Sequence, residues 1–257
     1  MIWPFGRRIY PRRRHWWTLF PRLWCGTVWL VRVLVLLFII DLFYLASDWP
    51  DWKRLARGAI PQSNFIVAYK HQRKSNKQLP GLRWYPVPYS GIPEYVGKAA
   101  IVAEDSRFYQ HEGFDLVAFR EAMDYNINEG KMAFGGSTIS QQTVKNLFLT
   151  GSRNPLRKWH ELLLTWSMER NLRKHRILEI YLNVAEFGPG IYGVEAASRA
   201  YWTQPASRLT RWQAAELAAS LPSPRKHNPV KRTRVFLRRK EKILYWLDHL
   251  ENADKRQ

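Results

Sequence analysis

The sequence predicts a mainly α-helical protein in which one N-terminal transmembrane helix precedes a globular head. Residues 23–45 form an apolar run of 23 residues, which as a helix is about 35 Å long and can cross a bilayer. Further along the chain, apolar side chains recur at helical spacing in several segments, and helix-start signals precede some of them. No internal repeat interrupts them, and 257 residues are enough for one sizeable domain with appendages.

The apolar run is interrupted by two charged residues, Arg32 and Asp41. Each costs roughly 2.5–3.5 kcal/mol at a bilayer centre and less near an end, and the surrounding Leu, Ile, Val and Phe residues offset this cost. The length of the run disfavours both a buried core helix and a cleaved signal peptide, and no small-residue cleavage pattern follows it. Residues 1–22 hold six arginines and no acid, so the N-terminus is expected in the cytoplasm and the head beyond the membrane.

The composition indicates an anionic partner. The formal net charge is +20, which is typical of proteins that bind nucleic acid, a membrane surface or a phosphate-bearing substrate. Thirteen Trp and twelve Tyr favour a bilayer interface, where amphipathic rings are enriched. Cys25 is the single cysteine, so no disulfide can form within the chain.

The head is divided by composition into three parts. Residues 46–92 form a juxtamembrane connector and the start of the head, in which residues 64–69 are predicted to be a short strand. Residues 93–230 form the main domain, and residues 231–257 form a basic C-terminal helix. Residues 188–193 match GxGxxG but follow a predicted helix, so we reject a dinucleotide site and expect these glycines to end one helix and let the next pack closely.

The densest chemistry lies in residues 104–115. A helix predicted over residues 93–103 has an apolar stripe that would place Glu104 at its end, at the rim of a core. A carboxylate beside apolar surface acquires a raised pKa and can act as a general base, although a solvated helix end is the commoner role of such a residue. Asp115 is expected to cap the following helix, residues 116–127.

Two later segments carry polar side chains at helical spacing. Ser137 or Thr138 is expected to cap a helix, on which residues 138, 142, 145 and 146 form one stripe of amide, hydroxyl and ammonium groups. Such a stripe suits sugars and a phosphate, and a solvated face is the alternative. On the next helix, Glu161 pairs with Arg157 and Lys158, which as an exposed salt bridge would contribute less than ~1 kcal/mol.

Taken together, these segments resemble the monofunctional peptidoglycan glycosyltransferases of glycosyltransferase family 51, which share their domain with class A penicillin-binding proteins. The resemblance covers about residues 93–229 and departs from the family's usual pattern only slightly, at Ser140 and Trp202. Five blocks occur in the family's order: EDxxFxxHxGxD (104–115), GSTIxQQxxKN (136–146), RKxxE (157–161), ILExYLN (177–183) and FGxGxxG (187–193), followed by Tyr201.

The resemblance implies a lysozyme-like fold and polymerisation of lipid II into glycan strands with inversion, in cell-wall synthesis and cell-shape maintenance. Glu104 matches the family's general base, and Glu161 matches its second essential carboxylate. The remaining matched positions imply contacts to the sugars and the diphosphate: Asp105, Phe108, His111, Ser137, Thr138, Gln142, Lys145, Asn146, Arg153, Arg157 and Lys158.

The resemblance also implies the setting of the reaction. We expect no obligatory cofactor, with a transient divalent cation, Mg²⁺ or Mn²⁺, near Glu104 and the diphosphate as an open alternative. The expected location is the inner membrane, with a periplasmic catalytic domain. This domain is expected to bind lipid II and the growing glycan strand and to be inhibited by moenomycin. Division or elongation proteins are expected as partners, and nucleic acid is not. A small subdomain that includes residues 132, 134, 147 and 148 is expected to touch the bilayer.

Two other functions remain as alternatives at this stage. A glycan-cleaving lytic transglycosylase or lysozyme-type hydrolase would need an acid to protonate a sugar leaving group, whereas the cations near the carboxylates favour a polymerase. A non-enzymatic membrane protein would explain the charge but not the ordered blocks. Ser223 and Lys226 match SxxK, but no KTG follows, so no transpeptidase activity is expected.

Overall fold

The structure, a computed structural model, describes residues 20–130, 136–152 and 154–254. Residues 1–50 and 51–257 form two compact units. In the first unit, helix α1 (Phe20–Ser47) contains the apolar span Thr27–Ser47, whose mean hydropathy is 2.4 and of which only 6% is buried. An exposed apolar helix of this length can cross a membrane, as the sequence predicts. The arginine arm, residues 1–22, lies largely outside the described residues.

The second unit, the head, is mostly helical. Its helices are α2 (Trp52–Arg57), α3 (Asn64–Ser75), α4 (Glu94–Glu104), α5 (Leu116–Glu129), α6 (Ile139–Phe148), α7 (Pro155–Asn171), α8 (Lys174–Val184), α9 (Val194–Trp202), α10 (Arg211–Ser220) and α11 (Arg234–Asp254). Its strands are β1 (Arg83–Trp84), β2 (Glu186–Gly188) and β3 (Ile191–Tyr192).

One group of helices is formed by α4, α10 and α11. Helix α10 packs against both of the others, and the two of them also contact each other. Small buried residues, Ala99 and Ala100 of α4 and Ala214, Ala215 and Ala218 of α10, let the backbones approach closely. This packing fixes the position of the last turn of α4, where Glu104 lies.

A second group is formed by α6, α7 and α8. Helix α6 packs against the other two helices and contacts α3. Residues 177, 178, 180, 181, 182 and 184 of α8 are all buried, so α8 is a central helix of the head. Ile139, Val144 and Leu147 of α6 are buried, as are its polar residues 140, 141 and 143, whereas residues 142, 145 and 146 are only partly buried.

A small sheet in the order β1-β3-β2 closes the head, with β1 parallel to β3 and β2 antiparallel to it. The glycine-rich segment contributes to this hairpin, so the expectation that its glycines end a helix was wrong, because α8 already ends at Val184. The expected close packing is present at Gly193, which directly precedes α9. Gly193 has a φ of 83°, and a Cβ there would lie 2.7 Å from the carbonyl oxygen of Asn183. Only a residue without a side chain fits this close approach without strain.

The predicted strand at residues 64–69 is also wrong, because these residues begin α3. Ser63 caps this helix, since its Oγ accepts a hydrogen bond from the amide of Ile66 at 3.2 Å. Ile66 and Tyr69 are buried three residues apart, which is helical rather than alternating spacing. The short apolar run NFIVAY fits both patterns, and the capping serine decides between them.

Candidate active site

Glu104 lies at the C-terminal end of α4 and is partly buried. Its Oε2 accepts a hydrogen bond of 2.6 Å from Nε2 of Gln142 on α6. The hydroxyl of the buried Tyr181, on α8, donates to Oε1 of the same glutamine at 3.3 Å. Three helices therefore hold the Glu104 carboxylate in one orientation.

The N-terminus of α6 is capped by Thr138, one of the two residues predicted to cap it, and the cap is a capping box. The Thr138 hydroxyl accepts from the amide of Gln141, and the Gln141 side chain accepts from the amide of Thr138. The same hydroxyl donates to the carbonyl of Gly113 at 2.7 Å, and Oδ2 of Asp105 accepts from the amide of Ile139 at 2.9 Å. These bonds join the 104–115 segment to the start of α6, so the two segments position each other.

Asp105, which follows Glu104 in the chain, forms a hydrogen-bonded pair with His111. Nε2 of His111 lies 2.9 and 3.1 Å from the two oxygens of Asp105, and Nδ1 accepts from the amide of Gly113 at 3.1 Å. The Gly113 amide can only donate, so Nδ1 carries no proton and the bond to Asp105 uses Nε2–H. Phe108 is fully buried beside them. The structure shows these residues holding the scaffold of the site, and their predicted contacts with the substrate stay a prediction.

Asp105, His111 and Asp115 have ligand-type atoms within 4.8 Å of one another. Their oxygens are already used within the protein: Asp105 binds His111 and the start of α6, while Asp115 accepts from the amides of Val117 and Ala118 as the predicted cap of α5. This donor set does not fit a metal ion. The divalent cation expected near Glu104 stays a prediction.

Glu161 is a buried carboxylate, with a side chain 3% exposed. Its Oε2 accepts from Nη1 of Arg157 at 2.8 Å, and its Oε1 contacts Nζ of Lys158. Because all three residues lie within two turns of α7, the helix itself builds a cluster with one negative and two positive charges. Burial distinguishes this cluster from the exposed salt bridge that was the alternative expectation.

Lys145, on α6, connects the two carboxylates electrostatically. Burial lowers the pKa of Lys145. The negative charges of Glu161 and Glu104 raise this pKa, whereas the positive charges of Arg157 and Lys158 lower it further. Gln142 and Lys145 line the same cavity, of about 330 Å³, as Arg157, Lys158, Glu161 and Ser137. Glu161 therefore lines this cavity, and Glu104 is linked to it through Gln142 and the charge of Lys145.

The pKa of Glu104 is raised, chiefly because burial disfavours the ionised form. The hydrogen bond from Gln142 and the charges of Lys145 and Arg239 lower it, whereas the neighbouring Asp105 raises it. A carboxylate that is harder to ionise in this way holds an accepted proton more strongly. Glu104 can thus serve as a general base near neutral pH.

A larger apolar groove adjoins the cationic cavity. Its volume is about 610 Å³, and it shares Ser137, Gln141 and Lys158 with that cavity. The other lining residues are mostly apolar: Phe114, Asp115, Leu116, Phe119, Gly136, Leu162, Leu163 and Trp166. The site thus combines carboxylates, cations and an extended apolar surface within one continuous region.

The sequence model of the transglycosylase family matches residues 74–248, about two thirds of the chain. The chain belongs to the transglycosylase family. The chain is similar to the biosynthetic peptidoglycan transglycosylase of Methylobacillus flagellatus, with 40% identity over 223 residues that cover 84% of this chain and 91% of that protein. The biosynthetic peptidoglycan transglycosylase of Thiobacillus denitrificans is 44% identical over 170 residues, which cover 66% of this chain and 72% of that protein.

Membership of the transglycosylase family confirms the predicted enzyme class, a glycosyltransferase, and the lysozyme-like, mostly helical fold. The family match extends well into α11, which the sequence analysis had set apart from the main domain. Helix α11 packs against α4 and α10 and is thus part of the head.

Some predicted site residues lie elsewhere or cannot be placed. Asn146 lines a smaller cavity, of about 150 Å³, with Gln142, Lys145, Tyr181 and Glu186. Arg153, Met132 and Phe134 lie outside the described residues. Leu147 is buried, and Phe148 packs edge-on against Trp52 at 5.7 Å. Burial of Leu147 speaks against its predicted membrane contact, whereas Phe148 is partly exposed and its membrane contact stays a prediction.

Other residues of the site were missed or misassigned from the sequence. Tyr181 and Glu186 were not singled out as site residues, although Tyr181 lies within the ILExYLN block. Leu162, Leu163 and Trp166 were also not assigned to the site, but they line the apolar groove, and Trp166 is 50% exposed. A useful signal was the apolar run that follows the RKxxE block, since apolar surface beside cations fits an amphiphilic substrate.

Proposed function

We propose that this enzyme polymerises lipid II into linear glycan strands during peptidoglycan synthesis. The observation that carries the proposal is the cationic cavity around Glu161, which is lined by Gln142, the partner of Glu104, and which an apolar surface continues. We place the reaction in this cavity and call it the shared groove of Glu104 and Glu161. A lipid-linked sugar diphosphate has the three matching parts: hydroxyls, a dianionic leaving group and a long apolar chain. The names of the relatives support the same substrate class.

Glu104 acts as the general base in the proposed reaction. The 4-hydroxyl oxygen of the acceptor sugar forms a bond to the anomeric carbon of the donor, and its proton passes to a Glu104 oxygen. The bond between that carbon and the diphosphate breaks, and the bonding electrons leave with the diphosphate. Attack from the opposite side converts an α-linked donor into a β-linkage. Gln142 keeps the carboxylate directed at the acceptor.

The cations of α6 and α7 stabilise the leaving diphosphate. Lys145, Arg157 and Lys158 lie around one cavity, so their charge meets the negative charge that develops as the bond breaks. Glu161 holds Arg157 and Lys158 in place through its two oxygens. The matched position Arg153 lies outside the described residues. No step requires a metal ion, and assistance by Mg²⁺ or Mn²⁺ stays a prediction.

The apolar groove accommodates part of the polyprenyl chain. It begins at Ser137 and Lys158, which also line the cationic cavity, so a lipid in the groove leaves its diphosphate among the cations. Helix α1 anchors the enzyme in the inner membrane, and the arginine-rich N-terminus remains in the cytoplasm by the positive-inside rule. The head then lies in the periplasm, where lipid-linked precursors are presented at the membrane surface.

The test is polymerisation of labelled lipid II by the full-length chain in detergent or vesicles. We expect a ladder of glycan products from the wild type, loss of the ladder on addition of moenomycin, and no ladder from Glu104→Gln. Thermal unfolding of this variant provides the folding control. Shortening of preformed glycan strands without a ladder would instead indicate a cleaving enzyme and would contradict the proposal.

A further inference from the structure

Helix α11 brings a cation to the site from outside the five sequence blocks. Phe236, Ile243 and Leu247 are buried on the face of α11 that packs against α4 and α10. Arg239 follows Phe236 by three residues and precedes Ile243 by four, so it lies on the same face. Its neighbour Arg238 is exposed to solvent. One arginine of this pair is therefore directed into the head.

The guanidinium of Arg239 has an unexplained feature. Its Nη1 is buried and has no hydrogen-bond partner among the described residues. The next residue, Lys240, is also buried, but its ammonium is paired with Glu241 at 2.9 Å and lies 3.4 Å from the centre of the Trp212 ring. Burial of an unpaired cationic donor costs free energy, so a purely structural role does not account for Arg239.

The carboxylate of Glu104 has charged or ionisable neighbours on every side. Helix α6 contributes Lys145, helix α8 contributes Tyr181, and helix α11 contributes Arg239, while Asp105 follows in the chain. Gln142 adds a neutral donor. Burial and the negative charge of Asp105 raise the pKa of Glu104 and so favour its protonated form. The positive charges of Lys145 and Arg239 lower this pKa and favour the carboxylate. Arg239 also acts on His227, which lies before α11.

We propose that Arg239 is a positioning residue of the active site, whose charge keeps Glu104 ionised and ready to accept the proton of the acceptor hydroxyl. The proposal rests on the function of Glu104 proposed above and adds a residue from the C-terminal helix. Lys145 has a second task at the diphosphate, whereas Arg239 approaches Glu104 from the α11 side. Both cations therefore favour the ionised form of Glu104, but Lys145 also stabilises the departing diphosphate.

The direction of the effect follows from the charge. Glu104 must be ionised to act as a base, so activity falls as the pH drops through its pKa. Removal of a nearby positive charge raises that pKa further, which moves the acidic limb of the pH–rate profile to higher pH. A single neighbouring charge at this partly solvated site is expected to move the limb by about half to one pH unit. On that limb the rate then falls roughly three- to tenfold, and it recovers at alkaline pH.

The experiment compares Arg239→Gln, Arg239→Lys and the exposed control Arg238→Gln in the full-length enzyme. The rate of lipid II polymerisation is measured at saturating substrate between about pH 5 and pH 9, and thermal unfolding is recorded for each protein. Arg239→Gln is expected to shift the acidic limb upward while approaching the wild-type rate at high pH. Arg239→Lys is expected to return the acidic limb most of the way to its wild-type pH, and Arg238→Gln is expected to give the wild-type pH–rate profile.

Two results would overturn the proposal: an unshifted profile for Arg239→Gln, or an equal loss of rate at every pH, which would indicate a structural role. Failure of the proposed function is distinguishable from both. In that case Glu104→Gln would itself retain polymerisation, whatever the behaviour of the Arg239 variants.

Discussion

Lys145→Met is the sharpest test of the shared groove, because Lys145 is the cation that both carboxylates influence. Methionine has a similar length and fills the space, so the variant removes the charge with little change in packing. The leaving diphosphate loses one preorganised cation, and Glu104 loses one of the groups that lower its pKa. We expect a lower turnover number and an acidic limb moved to higher pH.

The magnitude follows from the electrostatics of the cavity. Two unit charges 4 Å apart interact by about 4 kcal/mol at an effective dielectric constant of about 20. Removal of one donor that stabilises a developing anion costs about 3–4 kcal/mol in comparable sites. The expected loss in turnover is therefore roughly 10²–10³-fold.

The assay is single-turnover formation of the first glycan linkage from labelled lipid II. Lys242→Met, on the exposed side of α11, provides a matched loss of one lysine away from the groove. Both variants should unfold at temperatures close to that of the wild type. A Lys145→Met enzyme that works within threefold of the control would refute the role of this cation at the diphosphate.

Three further changes probe the scaffold and the apolar groove. Gly193→Ala should lower the free energy of unfolding, measured by urea denaturation, by about 1–3 kcal/mol. The reason is that the added Cβ would meet a backbone carbonyl at a residue with positive φ. Gly151 has open space around it, so Gly151→Ala should leave the free energy of unfolding unchanged. Thr138→Ala should cost about 1–2 kcal/mol in the same assay through loss of the cap, and Thr138→Ser should retain most of it. Trp166→Ser should raise KM roughly three- to tenfold for long-chain lipid II and leave a short-chain analogue unaffected; equal effects on both substrates would count against a lipid-binding groove.

The sequence predicted the local signals that depend on a few neighbouring residues. The caps at Thr138 and Asp115 are both present, because each needs only a side chain and a backbone amide two or three residues away. The end of α4 at Glu104 followed from an apolar stripe.

The sequence did not predict features that depend on distant packing. The hairpin at residues 186–192 needs the parallel partner strand β1, which is about one hundred residues earlier in the chain. The apolar groove arises because α5 and the start of α6 leave part of α7 uncovered, which no property of α7 alone reveals. Arg238 and Arg239 are the same residue type, and only the packing of α11 on α4 and α10 makes Arg239 partly buried and leaves Arg238 exposed.

The central claim is that Glu104 is the base for glycan-bond formation in the groove that it shares with Glu161. The most direct measurement is the rate of lipid II polymerisation by Glu104→Gln across the full pH range, since glutamine preserves the shape and removes the titrating proton acceptor. We predict a loss of at least about 10²-fold on the alkaline side of the wild-type acidic limb, with no acidic limb attributable to residue 104 in the variant. A glycan ladder formed there at the wild-type rate would contradict this assignment.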